Sequence, residues 1–148
     1  MYYRKLNDPE AVAAGFTEKH VISFAAGDFS AAALTQTYNL GPALAIGEII
    51  DKAAFKVVTA VAGGAIATAT LQVGFTGTTN GFITATNCFT GASTPVAGDG
   101  ASLDKTGGKA FSAASQAVAV LTTTTGNVNV ATAGEIHIYL RRYDTGAI

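Results

Sequence analysis

Acid–base and nucleophilic chemistry in this 148-residue chain would fall first to two histidines, one cysteine and ten carboxylates. His137 stands between Ile136 and Ile138. If those isoleucines face a core, strand alternation turns His137 outward beside Tyr139 and Arg141, as a surface or interface residue and not a general base. His20, the other imidazole, belongs to no recognisable motif, and no Gly-x-Ser-x-Gly nucleophile elbow is present. Cys88 lies beside Phe89 in a neutral stretch with no basic neighbour, which reads as a buried structural thiol. As the single cysteine it can form neither an internal disulfide nor a cysteine-based zinc site.

Three further patterns were weighed for ligand chemistry. Residues 98–104 hold Asp99 and Asp104 among glycines. Calcium requires six to eight oxygens in a compact shell, and two carboxylates are too few, so a simple Asp-Gly turn is expected. Lys105 to Lys109 echoes a phosphate loop, but the spacing fails because position 103 is Leu and position 110 is Ala. Glu10, Glu18, Glu48 and Glu135 are scattered singly, and sequence leaves open whether any two meet in space, as glycoside hydrolysis requires. We therefore assign no catalytic, cofactor-binding or metal-binding residue, and the expectation is a protein that is not an enzyme.

Composition points the same way. Ala, Thr and Gly supply 66 residues (29, 20 and 17), whereas Asp, Glu, Lys and Arg make up 13% against a usual share of about 25%. Net charge is −1 and the longest basic run is Arg141-Arg142, so no stripe exists for a nucleic acid. The long uncharged stretch from Val57 to Gly98 is studded with Thr, Gly and Asn and does not read as a membrane span. The first ten residues lack the apolar core of a signal peptide, so synthesis in a cytoplasm is expected.

The elements that must position these residues are strands. Residues 21–24, 34–40, 66–75, 82–86, 109–112, 117–122, 128–130 and 135–141 read as strands by β-branched content or period-two alternation. Residues 46–61 read as one more, kinked near Asp51-Lys52. Gly63-Gly64 is expected to join adjacent antiparallel strands, Gly77 to Gly81 to form a turn, Gly126-Asn127 to close a hairpin, and residues 91–108 to form a long irregular loop. The short gap between 128–130 and 135–141 predicts an antiparallel pair. The fold expected is all-β, an antiparallel β-sandwich or jelly roll of about eight strands, with a single domain over residues 20–148.

Residues 1–19 stand apart as an extended N-terminal arm. They carry six of the 19 charged residues, leaving 13 for the other 129 positions. One helical turn at residues 11–14 would be marginal alone. Tyr2, Tyr3, Leu6 and Phe16 are apolar anchors suited to a neighbour's surface or sheet edge. Tyr139, Arg141, Arg142 and Tyr143 form an aromatic–arginine cluster, the residue types enriched at interface cores. These eight positions are the expected interface, the competing readings being a frayed terminus for the first four and an ordinary solvent face at a strand end for the last four.

Three stretches carry a likeness: Leu34-Thr-Gln-Thr-Tyr-Asn-Leu-Gly-Pro-Ala-Leu-Ala-Ile-Gly-Glu-Ile-Ile50, Val61-Ala-Gly-Gly-Ala-Ile-Ala-Thr-Ala-Thr-Leu-Gln-Val-Gly74, and Thr124-Thr-Gly-Asn-Val-Asn-Val-Ala-Thr-Ala-Gly-Glu-Ile-His-Ile-Tyr-Leu140. The chain resembles, over roughly residues 20–143, the capsid decoration (cement) proteins of tailed bacteriophages, which have a jelly-roll-like sandwich. That resemblance implies a structural virion protein on the capsid surface, partnered by the major capsid protein and by itself, commonly as a homotrimer, with no catalytic residues, nucleic acid or membrane. Rival readings are a phage tail or neck component and a carbohydrate-binding β-sandwich. The latter calls for exposed aromatic rings, yet the chain has no Trp and five Tyr.

Overall fold

The computed structural model describes residues 2–5 (backbone only), 14–90, 95–100, 102 and 108–144. The strands in chain order are β1 (Tyr2–Lys5), β2 (Glu18–Ser23), β3 (Thr35–Asn39), β4 (Glu48–Ala62), β5 (Thr68–Phe75), β6 (Thr78–Asn87), β7 (Val96–Ala97), β8 (Lys109–Ala110), β9 (Ala117–Thr124) and β10 (Ala133–Asp144). The first sheet has the order β1-β2-β10-β4-β7, with β8 also paired to β4; the second has the order β3-β9-β5-β6. Every pairing is antiparallel.

This order follows from nested pairing. β5 pairs β6, β4 pairs β7 and β8, β3 pairs β9, and β2 pairs β10. The chain is thus one long antiparallel ribbon, doubled back at the β5–β6 hairpin. Rolling that ribbon adds the β10–β4 and β9–β5 contacts and leaves two facing sheets, which is a jelly-roll sandwich. The two short strands β7 and β8 share one position, and β1 is an extra edge strand beside β2.

Alternation decides which side chains enter the core. Along β10, Ile136, Ile138 and Leu140 are fully buried. They lie with Ile22, Ile50 and Phe55 of the same sheet, in one core with Leu71, Val73, Phe82, Ala119 and Leu121 of the other. Small residues at buried positions, such as Ala53, Ala69, Ala117 and Ala119, leave room for the large rings. Gly134 shows how tight this is. Its φ is +154° and an added Cβ would lie 2.6 Å from the Phe29 ring.

The expected kink near Asp51-Lys52 is a β-bulge. Arg141 pairs with Lys52 and Arg142 with Ile50, so Asp51 is the extra residue in an otherwise continuous β4. Other expectations need correction. Gly63-Gly64 does not link neighbouring strands; it carries the chain from β4 in one sheet to β5 in the other. Residues 128–130 form a 3-10 turn (Val128–Val130), not a strand, because the chain is crossing between sheets there and has no free edge to join. Its supposed partner, β10, is paired on both sides by β2 and β4. The turn expected over 77–81 is shorter, since β6 begins at Thr78. Within the expected loop 91–108, β7 forms and residues 98–100 bond to β4 and β6, while β8 falls in the strand expected at 109–112; residues 91–94, 101 and 103–107 lie outside the described residues, as do Leu6 and residues 11–13 of the helical turn expected at 11–14. At the other boundary the lead-in contributes to the first sheet: β1 pairs β2, which starts at Glu18, and residues 14–17 between them are not strand.

Phe55 is fully buried between the sheets. Phe55→Ala is expected to cost about 3–5 kcal/mol in urea unfolding, while exposed Thr37→Ala stays within about 0.5 kcal/mol.

Candidate functional site: an interaction face on the first sheet

The aromatic–arginine cluster of the sequence is divided by the pleat. Tyr139 and Arg141 point away from the core, and Arg142 points toward it after Leu140. Phe16, just before β2, lies over the outer side, its ring centroid 5.5 Å from that of Tyr139. Lys52 Nζ sits 4.6 Å from the Phe16 centroid and donates to the Ala14 carbonyl at 2.8 Å, while Lys19 Nζ is 5.7 Å from the Tyr139 centroid. Ala14, Phe16, Ala54, Lys56, Pro95 and Tyr139 line an open groove of 230 Å³.

Charge around this groove is mostly positive. At the β4 bulge Arg141 Nε and Nη2 donate to the two Asp51 carboxylate oxygens at 2.6 and 2.7 Å. That bidentate pair raises the Arg141 pKa further above its usual high value and satisfies Asp51. Lys19, Lys52 and Lys56 then outnumber the one further outward acid of β10, Glu135, in a chain whose net charge is −1. His137 faces outward as expected, with Nε2 2.6 Å from Glu135 Oε1 on the same strand. It pairs in register with Lys56 and Val21.

Inside, the sequence reading missed a polar cluster. Glu18 and His20 occupy the buried face of β2 together with Ile22, at 3% and 0% exposure. Glu18 Oε1 lies 3.0 Å from His20 Nε2 and accepts from Arg142 Nη2 at 3.1 Å. Arg142 also donates from Nη2 to the Leu40 carbonyl and from Nη1 to the Pro42 carbonyl, both at 2.8 Å. The cluster therefore fastens the end of β10 to the turn after β3, joining the two sheets. The signal lies four and two residues before Ile22, on the same face of the strand, but alternation alone does not say which face of β2 is buried. Expected as one of four scattered acids, Glu18 is a structural ion-pair partner, and Arg142 belongs to this cluster and not to the outer face.

Tyr143 is half-buried beside a hollow lined by Thr17, Pro42, Glu48 and Arg142. The backbone of Tyr2 pairs with Val21 and that of Tyr3 with His20. Of the eight expected interface residues, the structure brings Phe16, Tyr139 and Arg141 together on one face. Asp99, from the calcium-like stretch, accepts hydrogen bonds from Thr84 N and Oγ1, which hold its carboxyl below the ordinary value. Among the described residues no group of three or more His, Cys, Asp or Glu could hold a metal ion, and no helix is long and apolar enough to cross a membrane.

The two arginines are expected to behave differently. Arg142, 8% exposed at its side chain, loses about 3–5 kcal/mol on Arg142→Ala because Glu18 is left buried without its guanidinium. Arg141, 43% exposed, loses at most about 1 kcal/mol on Arg141→Ala. Chemical denaturation of both variants checks this order. Burial pushes the Cys88 thiol up to about 12, so a thiol reagent at pH 8 should leave the folded protein unmodified and label it on unfolding.

Comparison with known proteins found no matching family model, no matching curated protein and no matching solved structure.

Proposed function

We propose that this chain is a structural virion protein, a decoration (cement) protein that binds the outside of a tailed-phage head and stabilises it by bridging capsid subunits. The observation that carries the binding part is the outer face of the first sheet. It combines an aromatic pair, an apolar groove and three lysines, with Tyr139 and the lysines on strands that have neighbours on both sides. Rigid aromatic anchors lose little conformational freedom when buried, and flanking cations select an acidic partner and speed its capture. The phage setting comes from the sequence resemblance. The jelly roll is compatible with it, although the same architecture serves both capsid and lectin domains and does not choose between them.

The mechanism is mechanical and needs no catalytic group. Each bound unit covers a seam between capsid subunits, and the buried surface adds to the free energy needed to open that seam. Small gains per site, repeated over a shell, raise the barrier to rupture when packaged DNA presses outward.

A carbohydrate-binding reading has one observation in its favour. Thr68, Thr70, Asn87, Phe89 and Thr90 line an uncharged hollow of 410 Å³ at one edge of the second sheet, with an aromatic ring among hydroxyl and amide groups. A glycan array with no signal removes that reading.

Particles lacking the protein are expected to rupture at lower temperature than complete ones, and adding back the purified chain should restore them. The double variant Phe16→Ala/Tyr139→Ala should bind bare heads more weakly by about 2 kcal/mol, roughly thirtyfold, with its folding intact. Heads that resist heat equally well without the protein sink the cement role. Labelled particles viewed by electron microscopy separate a coat over the head from a component at one vertex or on the tail.

A further inference from the structure

Among the described strands, charged residues stand only on those of the first sheet. The four strands of the second sheet contain no Asp, Glu, Lys or Arg. Hydroxyl and amide side chains take their place: Thr35 and Thr37 are exposed on β3, and Thr68 Oγ1 and Thr124 Oγ1 are 2.6 Å apart across β5 and β9. The absence of charge continues onto one end of the sandwich, formed by the segments 24–34, 62–67 and 125–133. Only Asp28 is charged there, and its Oδ2 accepts from the Ser23 N–H at 2.8 Å.

These three segments make one continuous surface. Val128 N donates to the Ala33 carbonyl at 2.8 Å, Asn129 N to Ala31 at 3.0 Å and Thr132 N to Ala62 at 2.7 Å. Gly126 packs so closely on the 62–67 segment that an added Cβ would lie 2.7 Å from the Ala65 carbonyl oxygen. Phe24, Leu34 and Val130 stand on this end with 44%, 47% and 40% of their surface exposed, among exposed alanines. Thr125, at φ +69°, is the one non-glycine residue among those described with left-handed backbone, and Thr123 Oγ1 fixes its turn by donating to the Gly126 carbonyl at 2.7 Å. The end is thus a preset shape rather than an adaptable one.

We propose that copies of this chain associate with one another through this uncharged end, with Phe24, Leu34 and Val130 in the contact. A contact between identical surfaces sets a patch against its own copy, so a patch with an excess of one sign of charge repels itself. The loop end avoids that repulsion. The outer face of the first sheet does not, because Lys19, Lys52 and Lys56 would be brought against their own counterparts. The two surfaces therefore suit different occupants: an acidic surface of another protein on the lysine face, and a second copy on the uncharged end. This rests on the decoration-protein reading, whose resemblance implies self-association, and names the surface for it, yet it is tested on the purified chain with no shell present.

Sedimentation of the full-length protein reads the outcome. The wild type should sediment as a multiple of 14.9 kDa, with little change between low and high salt, because no ion pairs hold the contact. Leu34→Asp/Val130→Asp should fall to the mass of one chain while keeping its circular dichroism and melting temperature, and Lys52→Glu should keep the wild-type mass. If the double variant fails to fold, Phe24→Lys in the exposed turn after β2 serves in its place. A wild type that sediments as a single chain at every soluble concentration overturns the assignment, as does a folded double variant that keeps the wild-type mass. Binding to bare heads is measured separately: an oligomer that leaves heads bare retires the shell role and keeps this surface, whereas a single chain that coats them does the reverse.

Discussion

Strand β10 is paired on both sides, by β2 and by β4, over residues 135–140. That double pairing fixes its orientation, and a strand with fixed orientation sends successive side chains to opposite faces. Ile136, Ile138 and Leu140 go into the core, and Arg142 continues their row to meet Glu18. Glu135, His137, Tyr139 and Arg141 go outward. The core, the buried ion pair and the outer face are thus three consequences of one register. A slip by a single residue would put Tyr139 and Arg141 inside and expose the isoleucines.

The bulge at Asp51 works within that register. It adds one residue to β4 where β10 passes from Arg141 to Arg142, so the Asp51 carboxylate meets the outward arginine. Glu18 meets the inward one, and each guanidinium has its own acid. The two pairs differ in consequence because they differ in solvent. The outer pair is screened by water and contributes little to stability. The inner pair lies where an uncompensated charge is costly, and its carbonyl partners at Leu40 and Pro42 make it a tie between the sheets.

Separation of charge onto one sheet gives the molecule two unlike surfaces. Lysines and aromatic rings cover the first sheet; threonine, glutamine, asparagine and alanine cover the second sheet and one loop end. Low charge, which in the sequence was a bulk property, becomes directional once the ribbon is rolled. A protein with such surfaces suits contact with two kinds of neighbour.

Much of the fold was legible in the residues. Alternation in 135–141 and in 34–40, and the β-branched run in 46–61, marked strands whatever their neighbours, because side-chain direction along a strand is a local property. The outward position of His137 and the burial of Cys88 followed from the same local reasoning. The Glu18–His20–Arg142 cluster, the division of Arg141 from Arg142 and the crossing at Gly63-Gly64 were not legible. Each depends on which strands lie side by side, and residues 18 and 142 meet only because the first and last strands of the ribbon pair. Sequence determined that this chain would be β-rich and poor in charge. Tertiary structure alone decided where its few charges gather, because pairing between distant strands, and not local preference, sets which faces look inward.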